Sequence, residues 1–357
     1  MRFSFGGVRA MAMISNYEEA PELARYAESL GFSGAWFSDS PSFRDPYAMM
    51  AVSALATKKI SLAVGVANPY TRHPIVTARA IATIDEVSRG RAILCMATGD
   101  IVEILRPMGY SIKTPYAVVG EAVELIKAYL SNQEVNFHGQ FFKVARMRLG
   151  FKPIRDVPIF IAGGGPRVME VAGRVGDGVL INFFNDKLIE KCTERIKKGA
   201  LSVHRDYSKL KLNCFGPMIL VQNDVERREV LTDLKAFIAL NMLLTPEEWL
   251  EAAGVKRSVI DAIKKNYVVG AHRDLDLEQQ IIKKIGGFIS EDVMDLFCLV
   301  GDKRYMIERL GAMSRAGIGN IVIWMKGKEI SEKKQVLKRI GESIIPSFGG
   351  EGEDAAK

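Results

Sequence analysis

Short apolar or β-branched runs alternate with longer stretches of helical periodicity from the first residues onward, the signature of repeated β-α units and a parallel sheet. Strand 1 is read over Phe3 to Val8, and a helix follows from Pro21 to Leu30, closed by Gly31 in the left-handed role glycine fills at a helix end. Gly34 to Ser38 is the second strand. A helix from Asp45 to Thr57 follows, with Asp and Pro at its start. Ile60 to Val66 is the third strand, a helix opens at Pro74 and stops before Gly90, and Ala92 to Met96 is the fourth strand. After a helix over Tyr116 to Leu130, the alternating segment Val135 to Val144 predicts a hairpin outside the main sheet. Strands at Pro158 to Ala162 and Gly178 to Ile181 carry helices at Pro166 to Val175 and Lys187 to Lys198. A seventh strand spans Leu212 to Val221. The repeat then breaks for about 70 residues of helical pattern, resumes near Phe297, and ends with a strand at Asn320 to Trp324 and a helix over Ser331 to Ile344. Eight strands therefore count out, and the fold expected is a single (β/α)₈ TIM barrel over residues 1–348 with a helical insertion after strand 7, at about 225–290.

Length leaves this picture intact, because 357 residues fit either two ordinary domains or one barrel with insertions, and no Pro- or Ser-rich linker divides the chain. With 48% apolar and 25% charged residues there is material for a large core, whereas residues 349–357 lack periodicity and read as a disordered acidic tail. The net charge of +7 comes from basic residues interleaved with acidic ones, which argues for a solvated surface and against nucleic-acid binding, and still favours an anionic small molecule. Four cysteines without a C-x-x-C pair and four histidines without ligand spacing predict reduced thiols and no metal site. No stretch reaches the roughly 20 apolar residues of a membrane span, and the compartment read from this is the cytoplasm.

In a barrel the active face is built by the loops that follow the strands, so polar residues there carry the candidate chemistry. After strand 2, Ser38-Asp39-Ser40 places a carboxylate between two hydroxyls; Asp39 either orders its own loop or faces a ligand. After strand 3, Gly65 to Pro74 collects Asn68, Thr71, Arg72 and His73. There glycine permits close backbone approach, Arg72 suits a carboxylate or phosphate, and His73 is equally a helix-terminus hydrogen-bonding group. Thr98-Gly99-Asp100 follows strand 4, a small-residue turn with one acid. After strand 5, Gly163-Gly164-Gly165 precedes a helix that begins at Pro166. Bare N–H groups at such a terminus suit a phosphate, the alternative being a plain tight turn.

Together, Gly65 to Pro74, the run Ser88 to Ala92 and Ala162 to Gly165 resemble the luciferase-like monooxygenase superfamily, and within it the archaeal, coenzyme F420-dependent branch that includes the methylenetetrahydromethanopterin reductases. That resemblance implies F420 bound at the barrel mouth and hydride transfer between the deazaflavin C5 and a small organic substrate, most closely a methylenetetrahydromethanopterin-type pterin. It implies a cis peptide at Gly65–Val66 behind the ring and phosphate held by Gly163, Gly164 and Gly165. Ser40, Val66, Ala67, Asn68, Thr71, Arg72, Thr98 and Gly99 would line the rest of the cofactor site. Asp39 and Asp100 match acidic positions and are the candidate catalytic residues, for orienting the pterin or assisting protonation. Two positions depart from the pattern: Gly6 stands where the reductases carry an acid, and Ser40 where they usually carry histidine. The alternatives are an FMN-dependent monooxygenase of the same superfamily and a cofactor-binding protein without turnover. A homodimer is the assembly expected by analogy.

Overall fold

The computed structural model describes residues 1–6, 17–41, 43–267, 275–325 and 329–349, and the end of the predicted first strand and nearly all of the predicted tail lie outside them. Its first half runs β1 (Arg2–Gly6), α1 (Glu19–Ser29), β2 (Gly34–Phe37), α2 (Pro46–Ala56), β3 (Ser61–Ala67), α3 (Pro74–Ser88), β4 (Ala92–Met96) and α4 (Pro115–Leu130). A separate antiparallel hairpin, β5 (Val135–His138) with β6 (Lys143–Met147), comes next, and then β7 (Ile159–Ala162), α5 (Pro166–Val175), β8 (Gly178–Ile181), α6 (Asp186–Leu201) and β9 (Lys211–Leu220). The helices α7 (Asp224–Leu244), α8 (Glu247–Ala252), α9 (Arg257–Asn266), α10 (Leu275–Ile285) and α11 (Glu291–Met294) follow. The chain then resumes with β10 (Leu299–Gly301), α12 (Lys303–Arg315), β11 (Ile318–Trp324) and α13 (Ile330–Ser343).

Strands β11, β1, β2, β3, β4, β7, β8 and β9 pair side by side in parallel, and β9 pairs back onto β11, which closes an eight-stranded barrel. Strand β10 is not one of the eight. It pairs in parallel with the far end of β9, Leu299 to Gly301 against Met218 to Leu220, so the segment at Phe297 re-enters the fold as an added edge.

Alternation along the strands sorts side chains into two cores. On β2, Ala35 and Phe37 pack outward in the large cluster shared with the helices, whereas Trp36 joins Ala63, Cys95, Phe160, Leu180 and Val322 inside the barrel. The ends of the helices follow local chemistry. Asp45 caps α2 by accepting from the N–H groups of Tyr47 and Ala48 at 2.9 and 3.1 Å, ahead of Pro46 in the first turn. Gly31, with φ of +85°, ends α1 as expected.

Toward the N-terminal end of the barrel one set of polar groups is paired across the interior, while Asp85 Oδ1 at the end of α3 is buried with no hydrogen-bond partner among the described residues. Ser4 donates to Asn320 at 3.1 Å, Asn320 donates to Asn213 at 3.2 Å, and Asn213 donates to the Val179 carbonyl at 3.1 Å, a chain of bonds across the interior. Beside it, the Arg91 guanidinium donates to the carbonyls of Ala54, Thr57, Ile60 and Ser88 and to the Thr57 hydroxyl, tying the end of α2, the start of β3 and the end of α3 together.

Candidate active site

The opposite end is different. Above the inner cluster, Val66, Ala162 and Phe215 from β3, β7 and β9 are only partly buried, and they form an apolar floor at the barrel mouth. The Gly65–Val66 peptide is cis, as the family resemblance implies, and the β3–β4 register slips there: Gly65 faces Cys95, Ala67 faces Met96, and Val66 is the bulged residue. Gly65 must be glycine, because a Cβ would lie 2.5 Å from the Trp36 ring. The same tryptophan decides Gly6: at φ of +153° a Cβ there would stand 2.2 Å from the Trp36 carbonyl oxygen, so the position cannot carry an acid without moving β2.

At the end of β2, Ser38 Oγ, Asp39 Oδ2 and Ser40 Oγ are all buried and have no hydrogen-bond partner among the described residues. Buried polar atoms in folded proteins are paired as a rule, and these three fall on consecutive residues at the barrel mouth. Burial pushes the Asp39 carboxyl above its ordinary range; Arg72 pulls against this and Asp45 adds to it.

Arg72 is engaged within the protein. Its Nη2 donates to Asp45 Oδ2 at 2.6 Å, its guanidinium lies 4.8 Å over the Tyr47 ring, and its Nε is 3.9 Å from Asp39 Oδ2. The carboxylates it engages are therefore the protein's own. Asn68 and Thr71 are likewise engaged internally. Asn68 Oδ1 accepts from the N–H groups of Tyr70 and Thr71 at 3.0 and 2.9 Å and from the Thr71 hydroxyl at 3.2 Å, which folds the loop after β3. His73 caps α3, its Nδ1 accepting from Ile75 N–H at 3.2 Å, and its ring meets Phe142 edge-on, so it takes the helix-terminus role. Ala67 closes β3 and its carbonyl accepts from Ala97 N–H at 2.9 Å, which brings the turn after β4 alongside. Thr98 lies in that turn, and Gly99, at φ of +82°, leaves room for Asn68, whose Cβ would be 3.0 Å from a Cβ at position 99. The Asp100 carbonyl starts a short π-helical turn, Ile101–Leu105, a feature with no counterpart in the periodicity of the sequence.

The glycine turn after β7 leaves the helix that follows it uncapped. Gly163 N–H donates to the Leu180 carbonyl, a Cβ at Gly163 would strike Val168 at 2.6 Å, and one at Gly164 would press on Phe183 at 3.0 Å. Gly165 is the residue before α5, with open space around it and no side chain capping the first turn. That turn is thus bare backbone with unpaired N–H groups and the positive end of the helix dipole. Arg167, in the same turn, rests on Tyr116 of α4 and adds a positive charge.

Sequence reasoning confined to four loops missed the far side of the mouth. Asn182, just past β8, donates to Asn241 of α7 in a short hydrogen bond, and Asn241 itself donates to the Phe237 carbonyl at 2.8 Å. Phe237 packs on Trp324 at 5.1 Å and Trp249 of α8 packs edge-on against Phe183 at 6.3 Å. The helices between β9 and β10 therefore form the wall of the mouth on the β8 to β11 side. Asn182 was recognisable as the first polar residue after an apolar strand; Asn241 had no such mark.

The luciferase-like monooxygenase family model matches residues 2–320. The 5,10-methylenetetrahydromethanopterin reductase of Archaeoglobus fulgidus is 31% identical over 337 residues, covering 93% of this chain and 96% of that protein. The enzyme of the same description from Methanolobus tindarius is 31% identical over 323 residues, covering 90% and 94%. Among solved structures, the coenzyme F420-dependent tetrahydromethanopterin reductase of Methanopyrus kandleri superposes with a TM-score of 0.80 at 25% identity, over 98% of this chain and 100% of that one. By its sequence, its closed barrel and the bulge at Gly65–Val66, the chain belongs to the luciferase-like monooxygenase family.

Proposed function

We propose that this protein is a coenzyme F420-dependent oxidoreductase acting on a small organic substrate, most closely a methylenetetrahydromethanopterin-type pterin. The observation that carries the reading is the pairing, on one barrel rim, of an uncapped helix N-terminus behind three glycines with the unpartnered Ser38–Asp39–Ser40 set. These are what a ligand with an anionic end and a polar planar end requires, and the floor of Val66, Ala162 and Phe215 is apolar and free of bulky projection from Gly65. The full-length similarity to reductases of that description supports the same cofactor and substrate class.

When bound, F420 supplies a hydride-accepting or hydride-donating carbon. The protein's part is positional. Gly163, Gly164, Gly165 and the first turn of α5 would hold the phosphate, while Gly65, Val66, Ala67 and Gly99 would shape the floor and edge for a flat ring. Asn68 and Thr71 keep the loop after β3 in place, so their contribution to the ring pocket is made through the backbone they order. Ser40 and Thr98 offer hydroxyls at the rim. Asp39 is the group for holding or moving a proton at Oδ2, and Asp100 is the second acid on the same face. No covalent nucleophile is called for, and all four cysteines are buried and free.

Equilibrium titration of the purified protein with F420 and, separately, with FMN, followed by methylenetetrahydromethanopterin and the reduced cofactor, tests this. Tight F420 binding with substrate-dependent reoxidation is the expected result; preference for FMN would place the protein with the oxygen-using members instead, and binding without reoxidation would reject the pterin.

A homodimer formed through α2 goes with this reading. Pro46–Ala56 contains no charged residue, and its outward side presents Ala48, Val52 and Leu55, the last 79% exposed. Sedimentation equilibrium decides it, a monomer at micromolar concentration being the outcome against. None of the described helices is long and apolar enough to cross a membrane, and cytoplasmic residence is part of the same proposal.

A further inference from the structure

The strand-2 carboxyl is held in an arrangement that the anion site does not explain. Arg72 stands beside Asp39 yet makes no hydrogen bond to it, the Nε to Oδ2 separation being 3.9 Å, while the same guanidinium closes to 2.6 Å on Asp45. Asp45 uses its two oxygens for two purposes. Oδ1 caps α2 through the N–H groups of Tyr47 and Ala48, and Oδ2 takes Arg72. Tyr47, one residue into the capped helix, lies beneath the guanidinium and sets the plane in which it turns. Helix α2 thus begins with a fixed carboxylate and a fixed ring that together hold Arg72 away from Asp39.

We infer that Asp45 is a positioning residue for Asp39: by drawing off the Arg72 guanidinium it leaves Asp39 Oδ2 buried, without a hydrogen-bond partner among the described residues, and available to exchange a proton with a bound ligand. Were Arg72 free to pivot, a charge-assisted hydrogen bond to Asp39 would form, stabilise the carboxylate and occupy Oδ2. Among the described residues, Arg72, Asp45 and Tyr47 are charged or titratable groups that act on Asp39 from the neighbouring elements, and the rise in its pKa through burial is the state this arrangement preserves.

That Asp45 controls Asp39 does not rest on the proposed function; that the proton is used in turnover does. The test is a pH titration of the Asp39 carboxyl by ¹³C NMR in aspartate-labelled full-length protein, its resonance identified by loss in Asp39→Asn. Asp45→Asn keeps the cap, since asparagine caps as well as aspartate, and removes the charge that holds Arg72. The titration midpoint is expected to fall in Asp45→Asn and to rise in Arg72→Gln. In the Arg72→Gln background the effect of Asp45→Asn is expected to shrink. An unchanged midpoint in Asp45→Asn, or an equal shift with Arg72 absent, would overturn the inference. Asp45→Ser, a second uncharged cap, gives the same reading should the asparagine variant not fold. With F420 and pterin, the limb of kcat/KM that declines as pH rises is expected to move to lower pH in Asp45→Asn together with the NMR midpoint. A midpoint that moves while the limb stays would remove Asp39 from the reaction and leave its control by Asp45 standing.

Discussion

The two ends of the barrel solve the same problem in opposite ways. At the N-terminal end, Ser4, Asn320, Asn213 and Arg91 bring polar groups inside and find a partner for each bond they donate. At the C-terminal end, Ser38 Oγ, Asp39 Oδ2 and Ser40 Oγ are buried without a hydrogen-bond partner among the described residues, and no side chain caps the first turn of α5. A buried polar atom left without a partner costs about 1 to 3 kcal/mol. The paired end thus stabilises the fold and the unpaired end gives up stability for a ligand, which is the division of labour that barrels show between their two faces.

The sharpest way to break that contrast is at the paired end. Arg91→Ala strips hydrogen bonds from four carbonyls and one hydroxyl, and is expected to lower the unfolding free energy by about 3 kcal/mol in urea denaturation, with cofactor affinity of the folded fraction unchanged. At the mouth the sign of the stability effect reverses. Gly165→Asp has space for its side chain and supplies the missing cap. It is expected to weaken F420 binding about tenfold or more through repulsion of the phosphate, while stability rises by a few tenths of a kcal/mol. Equal affinity in fluorescence titration would show that the phosphate lies elsewhere.

The smallest expected effect is that of Asp39→Asn on the protein without ligand. Because the folded-state pKa of Asp39 is raised, the folded chain holds its proton more firmly than the unfolded chain. Ionisation therefore costs stability as pH rises from the ordinary aspartate range through the raised value. The asparagine variant is expected to match or exceed the parent's melting temperature at neutral pH and to lose that advantage in acid below the ordinary range. A lower melting temperature at neutral pH would mean that the carboxylate has a stabilising partner after all.

Much of this architecture was legible in the chain. Short apolar or β-branched runs and helical runs marked the eight barrel strands and their helices, and the hairpin at Val135 was separable because it alternates where the barrel strands do not. Pro166 after three glycines marked the uncapped turn, and Ser38-Asp39-Ser40 stood out at the end of an apolar strand. These features depend on residues a few positions apart, where side-chain direction and backbone freedom are set by the residues themselves. Tertiary structure alone decided which charges meet. Arg72 reaches Asp45, 27 positions back, only because β2 and β3 are neighbours in a closed barrel, so a side chain that reads as an anion receptor also binds a carboxylate of the protein itself. Asn241 meets Asn182 from 59 positions away for the same reason. Gly6 reads as a missing acid until the Trp36 backbone is seen 2.2 Å from where its side chain would begin. Periodicity reports which way a side chain points; what it points at depends on contacts that exist only once the barrel has closed.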